Sequence, residues 1–437
     1  MSVTKRRGRR LATLALSGVL CTALLTACGE DGTPTLTWYV NPDGVDTLTT
    51  LAEGCSTDDY RIELQELPSG ATDQRTQLAR RLAAEDDSLD LMSLDPVFIP
   101  EFASAGWLAP LPEELAQQAT DADVLEGAAA TVEWDDEVVA FPQWANTQLL
   151  WYRRSLAEAA GLDMSKPVTW EQIISAASDQ GGSVGVQANR YEGYVVWINA
   201  LILGAGGAIV ENTEAGTDAE VTIDSDAGRA AAQVIADLAA SPAAQSDLSV
   251  SNEGTSLGLM YPEGGPGEFM VNWTFIYKNY EGLTGQPGGP ADQAGFEDLG
   301  WARYPQTVAG QESAPPIGGI QIGVGAYSEY PDYAMAAANC VTTVDAQVQL
   351  AVNNGLMPSR ASAYDDPGLQ EAFPPDLLDL FRTSIDTAGP RPQSAYYSKI
   401  SGAVQSTWHP ADQVDPETTP GDSAEFLADV LAGEALL

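Results

Sequence analysis

Between residues 35 and 95 the chain changes its hydrophobic period four times. Thr35-Leu-Thr-Trp-Tyr-Val40 alternates as a strand. Asn41-Pro42-Asp43-Gly44 breaks it, and Asp46 is placed to cap a short helix reaching Glu53. Residues 61–67 alternate again, and Pro68-Ser69-Gly70 turns the chain. Arg75, Leu78, Ala79, Leu82 and Ala83 then recur at helical spacing, and residues 89–94 form a third strand ended by Asp95-Pro96. Parallel strands need crossovers, and helices are the usual ones, so this rhythm predicts an α/β sheet wrapped by helices. Ligands of such sheets sit beyond the carboxyl ends of strands, where Asn41 and Asp95 both fall.

The rest of the chain continues in kind. Residues 138–141 and 149–152 read as strands, with Pro142-Gln143-Trp144-Ala145-Asn146 as a polar, aromatic loop edge between them. A helix over 170–177 follows a Thr169 cap. Residues 184–188 precede a long apolar helix over 194–203, ended by Gly204-Ala-Gly-Gly207. After a strand at 221–223, Asp224 or Ser225 caps a helix whose apolar face includes Ala227, Ala231, Ile235 and Leu238. Residues 269–276 form a strand carrying Trp273, and 282–294 form a Gly/Pro-rich loop. A strand at 320–324, a helix over 333–344 holding Cys340, a break at 355–360 and a helix over 377–385 follow. Gly389-Pro390-Arg391-Pro392 is rigid and extended, and residues 424–431 make a last helix with Gly433 just past its end.

Lys5, Arg6, Arg7, Arg9 and Arg10 precede an uncharged run of 17 residues, 11–27. A basic head, an apolar run and small residues before a cleavage point make a secretory signal over residues 1–27. Thr26-Ala27-Cys28 resembles a bacterial lipobox, which implies lipidation of Cys28, a tether over 28–34 and a body held at the extracytoplasmic face of the cell membrane. An ordinary signal peptide with a chance cysteine is the other reading.

Without that basic head, 15 basic residues face 62 acidic ones. Such a surface repels nucleic acid and anionic membranes. Its acidic pairs, such as Asp58-Asp59 and Asp365-Asp366, read as a solvated face. The one histidine, His409, removes most zinc sites and most histidine-activated nucleophiles, and no cofactor or metal is expected. Gly264-Gly265-Pro266-Gly267 lacks the Lys-Ser/Thr of a phosphate loop. With Cys21 removed and Cys28 lipidated, Cys55 and Cys340 remain as an expected disulfide, two buried thiols being the alternative.

Several stretches together resemble the extracellular solute-binding proteins of sugar ABC importers. They are residues 89–111 with Gly106-Trp107-Leu108, the strand and capped helix over 221–238, Met270-Val-Asn-Trp273, and Gly355-Leu-Met-Pro-Ser-Arg360. The resemblance implies a two-lobe, periplasmic-binding-protein-like α/β fold of the class II type, its discontinuous lobes joined by a hinge. One lobe would be 35–147 with 319–365, the other 148–318 with 366–437. It also implies a monomer that closes on a sugar without chemistry and docks on a membrane permease.

Gln187-Ala-Asn-Arg-Tyr-Glu-Gly-Tyr-Val-Val-Trp197 and Arg391-Pro-Gln-Ser-Ala-Tyr-Tyr397 are similar to actinobacterial trehalose-binding lipoproteins. That likeness points to Asp95, Asn146, Trp273, Gly319 and Arg391 as contacts to a disaccharide, with Asn41 beside them. The residue types suit the task. Asp95 can accept from two hydroxyls, Arg391 donates in a planar fork, and Asn146 does both. Trp273 offers a flat wall for C–H faces, and Gly319 lets the backbone approach. Trp144 and Tyr396 are further candidates for the cleft. Each main residue also has a structural reading: Asp95 as a helix cap, Trp273 as core, Arg391 in an ordinary ion pair, Asn146 in a turn and Gly319 in a bulge. A secreted glycoside hydrolase with two carboxylates, or a surface lipoprotein binding a protein or glycan, are the competing functions.

Overall fold

The structure is a computed structural model that describes residues 33–437. The signal expected over 1–27 and the expected lipidation site, Cys28, therefore lie outside the described residues.

Eight strands form the main sheet: β1 (Thr35–Val40), β2 (Arg61–Glu66), β3 (Leu91–Leu94), β4 (Phe141–Arg153), β5 (Ser183–Gly185), β6 (Glu268–Trp273), β7 (Leu299–Ala302) and β8 (Ile317–Val324). Their order is β2-β1-β3-β8-β4-β6-β5, with β7 also on β4. The first three run parallel, as their crossover helices require, while β8 joins β3 and β4 antiparallel.

The 13-residue β4 organises the sheet. Its first part, Phe141 to Thr147, pairs with β8, and from Gln148 to Tyr152 it pairs with β6. One strand thus carries two half-sheets, and the pairing changes hands between Thr147 and Gln148. Sequence reasoning expected a loop at 142–146; the chain stays extended there. The ladder tolerates Pro142 because its register shifts beside Ile320 and Gln321, a bulge that absorbs one extra residue.

Each half-sheet has its own core. In β1, alternate side chains serve opposite faces: Trp38 and Val40 join one cluster with Leu48, Leu51 and Ile322, and Tyr39 joins another with Leu78, Met92 and Phe102. Around β5 and β6, Trp170, Tyr194, Trp197 and Ile235 fill a separate core beneath the helices Glu192–Gly204 and Asp226–Ala240. Thr169 and Gln172 close a capping box on helix Trp170–Gln180, and Ser225 caps Asp226–Ala240.

Three local expectations change. The first helix, Val45–Cys55, starts after Gly44 in the left-handed region, so Asp46 lies inside its first turn, where its charge suits the helix dipole. The helix expected over 333–344 ends at Val341, and a second one, Val344–Asn354, begins on a Thr343 cap. The strand expected at 221–223 is only a short hairpin arm, Glu220–Val221, paired with Val210–Glu211. Cys55 and Cys340 form a disulfide, their Cα atoms 5.9 Å apart, tying helix Val45–Cys55 to helix Pro331–Val341. Among the described residues no helix is long and apolar enough to cross a membrane.

Candidate functional site

A cavity of about 450 Å3 opens beyond the carboxyl ends of β1 and β3, where β4 crosses between the half-sheets. Asn41, Asp95, Asn146, Trp273, Gly319 and Arg391 all line it. Trp144 lines it too, whereas Tyr396 does not; its ring lies against Gly216 instead.

Asp95 follows β3 and combines two of the roles weighed for it. Its Oδ1 accepts from the Val97 N–H at 3.1 Å, capping the turn Pro96–Phe98, and from the Arg391 guanidinium at 2.6 Å. Arg391 is only 3% exposed and donates through its other nitrogen to Glu192 at 2.8 Å. Glu192 also accepts from the hydroxyls of Tyr397 and Ser401. Burial works against a charge on Arg391, but the carboxylates of Asp95 and Glu192 outweigh it and hold the guanidinium above its ordinary value. Burial and the Glu192 charge push the Tyr397 phenol up, so it stays a donor. The ordinary ion pair considered for Arg391 is present, and it stands in the cavity wall.

Asn146 sits in β4 rather than a turn. Its Oδ1 lies 2.7 Å from the Thr274 hydroxyl and accepts from the Thr147 N–H at 3.0 Å, which fixes the amide and points its nitrogen away from these partners. Trp273 ends β6 and is half-buried, so it is wall rather than core. A Cβ on Gly318 would stand 2.9 Å from the Trp273 ring, so that glycine makes room for the indole. Gly319 has a different reason: its φ is +124°, and a Cβ there would lie 2.2 Å from the Trp144 carbonyl oxygen.

The structure adds residues that sequence reasoning missed. Glu253, first residue of the short helix Glu253–Leu257, lines the cavity and accepts from the Tyr191 hydroxyl at 2.8 Å. Burial raises its pKa, and the charge of Asp43 adds to the rise. Asp43 lines the same cavity and accepts from Asn41 Nδ2 at 2.8 Å. Its surface is open to the cleft, yet the surrounding walls thin the water around it and raise its pKa as well. Phe275 is a further aromatic residue in the lining. The break Asn41-Pro42-Asp43-Gly44 was the one available signal for Asp43, whereas nothing local distinguishes Glu253 among 62 acids.

This arrangement can bind and orient a small polar solute: carboxylates and amides for hydroxyls, an indole for an apolar face. Comparison with known proteins agrees. The family model for bacterial extracellular solute-binding proteins matches residues 42–348. A probable ABC transporter-binding protein of Deinococcus radiodurans is 25% identical over 395 residues, covering 85% of this chain and 86% of its own. The maltose-bound MalE3 of T. maritima superposes with a TM-score of 0.76 at 25% identity, over 92% of this chain and all of its own. The GacH receptor of Streptomyces glaucescens, solved unliganded and with acarbose, gives 0.72 at 24%, over 91% of this chain and 97% of its own. The fold is the two-lobe class II binding-protein fold, and this chain belongs to the bacterial extracellular solute-binding proteins, which are binding proteins rather than enzymes.

Proposed function

We propose that the protein captures a disaccharide, trehalose first among them, outside the cytoplasm and hands it to the permease of an ABC importer. One observation carries this reading: a single cavity gathers a half-buried indole, a fixed amide and several carboxylates within reach of one small ligand. Its volume, about 450 Å3, falls in the usual range for small-molecule sites, roughly 300–1,000 Å3. Trp273 takes the C–H face of a sugar ring. Asp95 accepts from hydroxyls, and the Asn146 amide nitrogen donates to one. The maltose and acarbose complexes of the structural relatives support a carbohydrate. Trehalose is put first on the stretches 187–197 and 391–397.

In this reading the lobes are 35–147 with 319–365 and 148–318 with 366–437. The Asp95–Arg391 pair and the Ser398–Glu101 hydrogen bond of 2.9 Å then run from one lobe to the other, as contacts of a closed hinge do. Lipid on Cys28 would keep the protein beside its permease, and intact-mass analysis of the membrane-extracted protein checks it.

Calorimetric titration with trehalose beside maltose tests the proposal. Saturable binding without turnover, tighter for trehalose, is expected. Heat from maltose alone would remove trehalose, and silence towards every mono- and disaccharide would remove the sugar.

A further inference from the structure

The charged groups of the cavity fall into two sets. Among the described residues Arg391 is the only basic one in the lining, and both of its terminal nitrogens are taken, by Asp95 and by Glu192. Asp43 and Glu253 have no cation among the lining residues described; their side-chain partners are neutral, the Asn41 amide for Asp43, and the Tyr191 phenol and the Trp273 indole for Glu253. This part of the cavity therefore presents two carboxylates with no cation beside them.

A neutral sugar answers that demand poorly. Each hydroxyl brings one donor and no charge, so it can satisfy an acceptor without neutralising either carboxylate. A protonated amine brings three donors, no acceptor and a positive charge. It also removes the mutual repulsion of Asp43 and Glu253, in an enclosed place where Coulomb interactions exceed those in bulk water.

We propose that the preferred solute is an amino sugar, a small saccharide whose basic nitrogen sits beside Asp43 and Glu253 while its hydroxyls meet the rest of the cavity. This rests on the carbohydrate reading above and narrows it. The raised pKa values of Asp43 and Glu253 agree, since both mark carboxylates held without a positive partner.

The test is calorimetric titration of the purified protein with trehalose and with the four mono-amino-deoxytrehaloses that carry the amine at C2, C3, C4 or C6. At pH 7.5 at least one amine is expected to bind about tenfold or more tighter than trehalose, on the strength of one charge-assisted contact. That advantage should shrink towards pH 5, because protonation of Asp43 and Glu253 sets in above the ordinary carboxylate range; Asp95, Glu192, Arg391 and Tyr191 are the other charged or titratable groups facing them. In Glu253→Gln the ratio of amine to trehalose affinity should fall towards one. Trehalose binding with no amine advantage at any position, or an advantage that persists unchanged at pH 5, overturns the amino-sugar inference and leaves the carbohydrate reading standing. Silence towards trehalose and all four amines overturns both.

Discussion

Arg391 and Glu268 bury charge in opposite ways. At Arg391 a guanidinium only 3% exposed lies between Asp95 and Glu192, and two hydroxyls complete the Glu192 carboxylate. At Glu268, the first residue of β6, the carboxyl is fully buried and neither oxygen has a partner among the described residues. Burial there drives the pKa well above the ordinary glutamate range, with the charge of Asp247 adding to it, so the group holds a proton. The difference separates wall from core. Matched ions can stand at a cavity and meet a ligand, whereas an unmatched acid inside a lobe is tolerated only once neutral.

The largest break in that comparison is Arg391→Met. Taking away the partner leaves Asp95 and Glu192 as uncompensated carboxylates, which costs on the order of 3–5 kcal/mol. Urea unfolding at pH 7 should show the loss as a lower midpoint with an unchanged slope. Wild-type stability in this variant would mean the two acids never needed the cation. Next comes Asp95→Ala, which strands one side of Arg391 and removes a hydroxyl acceptor. Calorimetry should find disaccharide binding weaker by roughly 1.5–3 kcal/mol.

Glu268→Gln works in the other direction. The folded state binds the Glu268 proton more tightly than the unfolded chain does. The contribution of this group is therefore full below the unfolded value near 4.5 and is lost as pH rises through the raised folded value. The variant should gain roughly 1–2 kcal/mol at pH 9 over wild type and little at pH 4. An equal effect at both pH values would show that Glu268 carries no extra proton. The smallest change is Tyr397→Phe, which takes one donor from Glu192 and should cost about 1 kcal/mol of stability. A loss as large as that of Arg391→Met would move the weight of the network from the guanidinium to the phenol.

The parallel half of the sheet was legible because each strand ends on a break: Asn41-Pro42, Pro68-Ser69-Gly70 and Asp95-Pro96 mark the ends that face the cavity. Those breaks also located Asn41 and Asp95. The crossing strand was not legible. Pro142 and the polar residues after it look like a loop, and only the bulge opposite Ile320 and Gln321 lets them stay in the ladder. Asn146 was singled out all the same, through likeness to a family rather than through its strand. Glu192 and Glu253 were missed for another reason. Each opens a helix, at Glu192–Gly204 and Glu253–Leu257, where an acid is ordinary, and their place beside the cavity depends on how distant parts of the chain meet. A bulge was the structural reading for Gly319; its neighbour Gly318 clears space for the Trp273 ring, which only the fold reveals.

A crystal structure of the protein grown with trehalose tests the central claim most directly. The account predicts the disaccharide inside the cavity between the half-sheets, one ring face on Trp273 and hydroxyls within hydrogen-bond distance of Asp95 and Asn146. A sugar bound elsewhere on the surface, or one in the cavity that leaves Trp273, Asp95 and Asn146 untouched, would contradict it.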